Sequence, residues 1–316
     1  MLQIGPLQFK SNLIQAPLAG VSCAPFRSLV WEFGDIAYCC TEMLSAHDIA
    51  TGVLREPRFQ VRYPNEKTLC WQLSGNNPDH LAMASDYAIS QGANILDLNC
   101  GCPQPKIRKK GCGSRLLTDE KKLSELVKSM QRDKKIPVTI KMRINAGQKE
   151  FCEITLAKIL EAAGVDAITV HGRHWSHDYD IPCKIDAIAK IADAVKIPVI
   201  GNGDIDSSQQ LKKFLSDTQC AGFMIGRAGV GQPWIFHQLL NTSFTPPTSK
   251  IMGKLFLKHI SGLVELEGEY QAILQSRKLG KYYARNLENK IDFLNMLYEI
   301  NLFSDLENLI YRFFGC

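Results

Sequence analysis

Short apolar runs rich in β-branched and aliphatic residues recur through the first 230 residues, and we interpret each as a strand buried on both faces. Eight such runs are found, at residues 13–17, 37–43, 68–73, 95–99, 138–143, 167–171, 198–202 and 222–226. Between them lie amphipathic segments that predict helices at residues 78–91, 119–131, 150–163, 184–195 and 207–215. The chain therefore alternates strand and helix.

This alternation predicts parallel βα units, and eight units over about 230 residues fit a closed (β/α)8 TIM barrel. A doubly wound open sheet is the alternative, but it usually has fewer strands and an early glycine-rich phosphate turn. We therefore favour the barrel.

The pattern changes at residues 241–248, where Pro246 and Pro247 stand among small polar residues typical of a linker. Beyond it the sequence is helical, with no strand-like alternation. We expect a barrel domain over residues 1–243 and a small all-helical domain over residues 249–316.

Composition places the chain among ordinary globular proteins, with 45% hydrophobic and 22% charged residues. No apolar run approaches the roughly 18 residues of a membrane span. The N-terminus lacks the pattern of a secretory signal, so we expect a cytoplasmic protein. The eleven cysteines are irregularly spaced and predict no zinc site. The net charge of +5 permits a polyanionic partner without requiring one.

Candidate chemistry lies at the predicted strand ends, where TIM barrels carry their active sites. Gly201, Asn202, Gly203 and Asp204 follow the seventh strand, and Gly226 and Arg227 follow the eighth. Glycine-flanked turns at these two places are the usual phosphate site of a barrel, although the glycines alone would also serve tight turns.

Three further strand-end residues suit a flavin attached to that phosphate. Lys141 would point into the barrel mouth, where a cation stabilises an anionic reduced flavin. Gln72 offers a donor and an acceptor to the pyrimidine edge of a flavin. His171 either binds the ribityl chain or phosphate, or is a satisfied polar residue of the core.

Several short blocks then occur in a fixed order along the chain: Ala16-Pro17-Leu18-Ala19-Gly20-Val21, Thr41-Glu42-Met43, Leu98-Asn99-Cys100-Gly101-Cys102-Pro103, Lys141-Met142-Arg143, Val170-His171-Gly172-Arg173, Asn202-Gly203-Asp204-Ile205 and Ile225-Gly226-Arg227-Ala228. After the linker, Arg277-Lys278 stands close to Tyr282-Tyr283. Together these blocks resemble the tRNA-dihydrouridine synthases, and the resemblance covers nearly the whole chain.

The resemblance implies FMN as cofactor, NADPH as reductant and a uridine of the tRNA D-loop as substrate. It implies that reduced flavin delivers a hydride to C6 of the uracil while Cys102 protonates C5 as general acid. A thiol with the ordinary pKa of about 8.5 holds its proton at neutral pH, as this step requires. The residues implied to hold the flavin are Pro17, Leu18, Ala19, Gln72, Lys141, His171, Asn202, Gly203, Asp204, Gly226 and Arg227.

We expect Asn99 to recognise the uracil edge, with Arg173 as a weaker candidate. Two basic clusters are candidates for RNA contact, since a flipped base requires a pocket and backbone contacts. One is the loop 106–110, which includes Lys109. The other places Arg277, Lys281 and Arg285 on one helix face beside Lys278, although a solvated face is the alternative.

The chain departs from the usual family pattern at Leu18, Arg115 and the loops 144–147 and 174–177. We expect these loops to bear on which uridine is chosen, and the sequence leaves open both that uridine and the choice of NADPH over NADH. An FMN oxidoreductase for small molecules and a non-enzymatic RNA-binding protein are the competing hypotheses. We expect a monomer with no stable protein partner.

Overall fold

The computed structural model of the chain describes residues 1–34, 36–53, 57–241 and 243–316. It begins with an antiparallel hairpin of β1 (Leu2–Ile4) and β2 (Leu7–Phe9), which the sequence pattern did not predict. Gly5 forms its turn with φ +52°, a left-handed conformation that favours glycine.

Eight parallel strands follow and close into a barrel in the order β10-β3-β4-β5-β6-β7-β8-β9, which confirms the predicted fold class. Pairing of Phe223 with Leu13 joins the last strand to the first. The strands are β3 (Leu13–Gln15), β4 (Tyr38–Ser45), β5 (Leu69–Ser74), β6 (Ile95–Cys100), β7 (Val138–Arg143), β8 (Ala167–His171), β9 (Val199–Asn202) and β10 (Gly222–Ile225).

The helices are α1 (Ala24–Phe33), α2 (Ala46–Ala50), α3 (Pro57–Gln60), α4 (Pro78–Ser90), α5 (Pro105–Lys109), α6 (Glu120–Met130), α7 (Glu153–Ala162), α8 (Ile185–Ala194), α9 (Ser208–Asp217), α10 (Ile235–Leu240), α11 (Ser249–Glu267), α12 (Glu269–Tyr283), α13 (Lys290–Glu299) and α14 (Phe303–Phe314). The five predicted helices correspond to α4 and α6–α9. The side chains of Asn77, Asp119 and Ser207 cap α4, α6 and α9, each by accepting a backbone N–H of the first turn.

The hairpin covers the N-terminal end of the barrel. Its residues Leu2, Ile4 and Phe9 belong to one buried apolar cluster with side chains of the barrel strands, among them Ile14 and Met224. Hydrophobic residues therefore fill that end of the barrel.

Contacts within the chain define two units, and the barrel strands all belong to the first. The second unit comprises the described residues within 20–35, 56–66 and 227–316, and it is helical. The predicted division into domains at residues 243 and 249 stays a prediction, and residue 242 of the predicted linker lies outside the described residues.

The second unit has its own core. Phe256 stacks on Tyr283 with ring centroids 4.6 Å apart, and Phe293 contacts the rings of Phe313 and Phe314. Glycine at position 280 permits close packing, because a Cβ there would lie 2.3 Å from a methyl group of Leu297. Across the described ranges of the chain, no helix is long and apolar enough to cross a membrane.

Candidate active site

The structure brings together polar side chains from the carboxyl ends of neighbouring barrel strands. Asn99 donates to the side-chain oxygen of Gln72 at 2.7 Å, and Lys141 donates to Oδ1 of Asn202 at 2.9 Å. Asn99 is paired in register with Lys141, and His171 with Asn202. Five residues predicted for one site therefore lie on one face of adjoining strands.

Asp97 lies among these side chains, although the sequence analysis did not single it out. Its carboxylate accepts from Thr139 Oγ1 at 2.7 Å and from Gln72 Nε2 at 2.8 Å. Burial raises the pKa of Asp97 to about 6, and the two hydrogen bonds and the nearby Lys141 oppose that rise. The available signal was a carboxylate flanked by Leu96 and Leu98 in a strand predicted to be buried on both faces.

Lys141 places a buried ammonium group among these polar side chains. Burial, with a smaller contribution from the charge of Arg143, lowers the pKa of Lys141 to about 8. Its ammonium has three N–H donors, and its hydrogen bond within the described residues goes to the neutral amide oxygen of Asn202. The remaining donors are suited to an acceptor on a bound molecule.

Cys102 lies half-buried on the loop that follows β6, and its backbone is held at both ends. Its N–H donates to Oδ1 of Asn99 at 2.9 Å. Its carbonyl oxygen accepts from the backbone N–H and the hydroxyl of Ser114, at 3.1 and 3.0 Å. A side chain at Gly113 would meet that oxygen at 2.7 Å, so glycine is required there.

Asn99 thus has a structural role that the sequence did not indicate. Its amide nitrogen donates to Gln72, while its oxygen accepts from the backbone of Gly101 and Cys102. Its predicted contact with the uracil stays a prediction.

Arg173 is also engaged within the barrel unit. Its guanidinium is buried and donates to both carboxylate oxygens of Asp204, at 2.8 and 2.6 Å, and to the carbonyl oxygens of Tyr179 and Ile181. Its Nη1 lies 3.4 Å from Nε2 of His171. The arrangement ties the loop after β8 to the turn after β9, and the predicted substrate contact of Arg173 stays a prediction.

The predicted phosphate turn after β9 has an unusual backbone. Gly203 has φ +132° and Asp204 has φ +52°, both in the region that favours glycine. The space beside Gly203 is taken by Cys183, whose Sγ would lie 2.6 Å from an added Cβ. Internal packing therefore already requires this glycine. Its buried N–H donates to no acceptor among the described residues and remains available to an anion.

The other predicted flavin contacts lie close to strand ends. Pro17, Leu18 and Ala19 follow β3, and a Cβ at Gly226 would be in ordinary contact with Leu18. Arg227 is exposed and begins a 3-10 turn that belongs to the second unit.

Lys109 lies exposed at the end of α5, whereas the preceding residue, Arg108, is half-buried. Arg108 donates to the hydroxyl of Ser114 at 2.8 Å, and its guanidinium lies 3.5 Å from the ring centroid of Trp175. The indole N–H of Trp175 donates to Glu150 at 3.0 Å. The loops after β6, β7 and β8 therefore meet, a link that sequence spacing did not reveal.

The basic cluster of the helical unit requires a correction. Helix α12 ends at Tyr283, so the prediction that Arg285 shares its face with Arg277 and Lys281 is wrong. Arg285 instead donates to the carbonyl oxygen of Val230 at 2.6 Å and to Gln232 at 2.8 Å.

Arg277 of the same cluster donates to the carbonyl oxygen of Ile300 at 2.9 Å. Lys278 and Lys281 lie exposed. The predicted RNA contact of this cluster stays a prediction.

Comparison with solved structures defines the class. Similar structures include a histamine dehydrogenase from Rhizobium sp. 4-9 (TM-score 0.59, 13% identity, covering 88% of this chain and 50% of that chain). Another is a variant of NCR from Zymomonas mobilis (TM-score 0.57, 11% identity, covering 79% and 93%). This chain spans about half the length of the histamine dehydrogenase. At such low identity the likeness shows the fold alone: the chain is a TIM-barrel protein.

The chain belongs to the dihydrouridine synthase (Dus) family, whose model matches residues 14–310. It is 34% identical to a tRNA-dihydrouridine synthase B of Vibrio parahaemolyticus, over 92% of each chain. It is 33% identical to a probable tRNA-dihydrouridine synthase of Rickettsia bellii, over 96% of this chain and 94% of that one. The resemblance carried by the sequence blocks is confirmed.

Proposed function

We propose that the protein is a tRNA-dihydrouridine synthase that uses FMN and NADPH to reduce the C5–C6 double bond of a D-loop uridine. Family membership and relatives named tRNA-dihydrouridine synthase support the reaction and the substrate. The observation that carries the proposal is the half-buried Cys102, fixed by Asn99 beside the Gln72 and Lys141 side chains. A cytoplasmic location and a monomeric state are parts of the same proposal.

The donor set fits an FMN. Lys141 would donate to the pyrimidine edge of the flavin, and the second N–H of the Gln72 amide would serve the same edge. The turn at Asn202, Gly203 and Asp204 would hold the phosphate together with Gly226 and Arg227, since the buried Gly203 N–H has no acceptor among the described residues. Pro17, Leu18, Ala19 and His171 complete the proposed flavin site.

FMN supplies, when bound and reduced, the hydride for C6 of the uracil. The thiol of Cys102 donates its proton to C5, so that the reduced ring gains one hydride and one proton. Asn99 and Ser114 hold the backbone of Cys102 at its N–H and carbonyl, which fixes the direction from which the proton arrives. Exposed Lys109 would contact the RNA backbone beside the loop.

Substitution of Cys102 by alanine tests the proposal. We expect Cys102→Ala to retain flavin and its reduction by NADPH, but to form dihydrouridine in unmodified tRNA at least about a hundredfold more slowly, because general acid catalysis contributes on that order. The exposed Cys152 provides the matched control, and Cys152→Ala should behave as wild type. Dihydrouridine is measured by mass spectrometry of digested tRNA.

Two results would contradict the proposal. Wild-type dihydrouridine formation by Cys102→Ala would reject the assignment of the acid. A purified protein without flavin, or one that oxidises NADPH with free pyrimidines but not with tRNA, would reject the cofactor or the substrate.

A further inference from the structure

We propose that Asp97, a buried carboxylate of β6, is a positioning residue that orients the amides of Gln72 and Asn99 and thereby fixes the backbone of Cys102. The inference rests on the proposed function for the importance of Cys102. It assigns a role to a buried acidic side chain that hydrogen-bonds directly to one of the predicted site residues, Gln72.

The four side chains and the loop form one continuous chain of hydrogen bonds. Thr139 Oγ1 donates to Asp97 Oδ1 at 2.7 Å, and Gln72 Nε2 donates to Asp97 Oδ2 at 2.8 Å. Asn99 Nδ2 donates to Gln72 Oε1 at 2.7 Å, and the N–H of Cys102 donates to Asn99 Oδ1 at 2.9 Å. All of these side chains are buried.

The two ends of this chain determine the direction of every bond in it. An ionised carboxylate only accepts hydrogen bonds, and a backbone N–H only donates. Because Asp97 accepts, Gln72 must turn its nitrogen toward Asp97 and its oxygen toward Asn99. Asn99 must then turn its nitrogen toward Gln72, which leaves its oxygen for the N–H groups of Gly101 and Cys102.

Without an acceptor at position 97, only the N–H groups of Gly101 and Cys102 still favour the present orientation of the two amides. If the Asn99 amide flipped, its nitrogen would face the N–H of Cys102. Both groups are donors, so no hydrogen bond could form between them. The loop would then lose its anchor on the N-terminal side of the thiol. Buried networks of this kind hold one arrangement only while every member is satisfied.

Two substitutions separate the acceptor from the charge. Asp97→Asn removes the charge but keeps an oxygen for Gln72, while its nitrogen can donate to Thr139 Oγ1. Asp97→Leu removes the acceptor, and Asp97→Ser, too short to reach Gln72, replaces it if the leucine variant does not fold. The control is Asp166→Leu, which removes a carboxylate that accepts from the Val138 N–H at 2.8 Å at the other end of the barrel.

The first measurement is hydrogen exchange of the Gly101 and Cys102 amides by mass spectrometry, which does not depend on catalysis. We expect exchange about tenfold faster in Asp97→Leu, as the loss of one buried hydrogen bond gives. In Asp97→Asn and Asp166→Leu we expect the wild-type rate. Unchanged exchange in Asp97→Leu, or exchange in Asp97→Asn as fast as in Asp97→Leu, would overturn the proposal.

The second measurement follows the two half-reactions of the flavin-loaded enzyme separately: reduction of the flavin by NADPH and its reoxidation by tRNA. We expect Asp97→Leu to slow flavin reoxidation by tRNA about tenfold more than it slows flavin reduction by NADPH, because only reoxidation uses Cys102. An equal loss in both halves would indicate a general structural defect and would overturn the positioning role. If Cys102→Ala still modified tRNA, the proposed acid would be wrong, yet the exchange result would still decide whether Asp97 orders the loop.

Discussion

Lys141 lies in an environment that is unfavourable to its own charge. Burial removes water from the ammonium, and Arg143 adds a like charge, so its pKa falls to about 8. The opposing carboxylate of Asp97 is nearby, but the hydrogen bond of the ammonium goes to neutral Asn202. A buried cation with no direct ionic partner among the described residues is typical of a functional site.

The lowered pKa predicts how the stability of the flavin-free protein depends on pH. Between pH 8 and pH 10.5 the unfolded chain keeps the Lys141 proton while the folded chain has lost it. The free energy of unfolding therefore gains a contribution that rises with pH in this window, by up to about 3 kcal/mol. Lys141→Met lacks this contribution, so the difference between wild type and Lys141→Met should shift by that amount from pH 8 to pH 10.5.

Urea unfolding at several pH values measures that difference, since other groups that titrate in the window cancel between the two proteins. The exposed Lys158 supplies a matched control, and Lys158→Met should differ from wild type by a constant amount across the window. A constant difference for Lys141→Met as well would mean that the folded protein does not depress this pKa.

At the scale of elements, the loops at the C-terminal end of the barrel support one another. Arg108 of α5 contacts Ser114 and the Trp175 ring, and Trp175 donates to Glu150. Ser114 in turn donates to the carbonyl of Cys102. The loops that depart from the family pattern are therefore joined to the loop of the proposed acid, so their sequence bears on its position.

A double-mutant cycle measures this link between loops. Arg108→Met and Trp175→Leu each remove one side of the stacked pair, and the double variant should lose less stability than the sum of the two. We expect a coupling energy of roughly 0.5–2 kcal/mol in urea unfolding, the usual range for a cation over an aromatic ring.

The matched cycle of Lys109→Met with Trp175→Leu should show no coupling, because Lys109 lies exposed beside Arg108 without that contact. Coupling equal to that of the Arg108 cycle would reject the stacked pair as the source.

The strands of the barrel could be predicted because each is buried on both faces and is therefore rich in apolar residues. β7 and β8 have the predicted bounds, and the other barrel strands differ by at most two residues at an end. The short hairpin β1–β2 was missed, because three-residue strands show too little alternation to be recognised.

The sequence predicted which residues form the candidate site, but it did not predict the hydrogen bonds and packing contacts between them. Strand-end position alone selected Gln72, Asn99 and Lys141, which the structure places on adjoining strands. The hydrogen bonds of Asn99 to the Cys102 loop, and the packing of Cys183 against Gly203, join residues far apart in sequence. Such contacts depend on side-chain geometry that spacing along the chain does not contain.

At the scale of the whole molecule, the net charge of +5 is less informative than the state of each basic side chain. In the helical unit, Arg277 and Arg285 donate to carbonyl oxygens and stabilise the packing of helices and turns. Lys278 and Lys281 are exposed on α12, and exposed ammonium groups can contact a polyanion. The four residues thus divide into two half-buried arginines and two exposed lysines.

This division predicts the salt dependence of tRNA binding. Each lysine that neutralises a phosphate releases condensed counterions, so Lys278→Ala with Lys281→Ala should flatten the slope of log K against log salt by roughly 1.5. Lys212→Ala with Lys213→Ala removes the same charge from exposed positions on α9, and it should leave the slope unchanged. Binding is measured by filter retention of labelled unmodified tRNA across salt concentrations. Equal slopes for the two double variants would show that net charge, rather than this face of α12, determines the attraction, and the exposed lysines would then be an ordinary solvated surface.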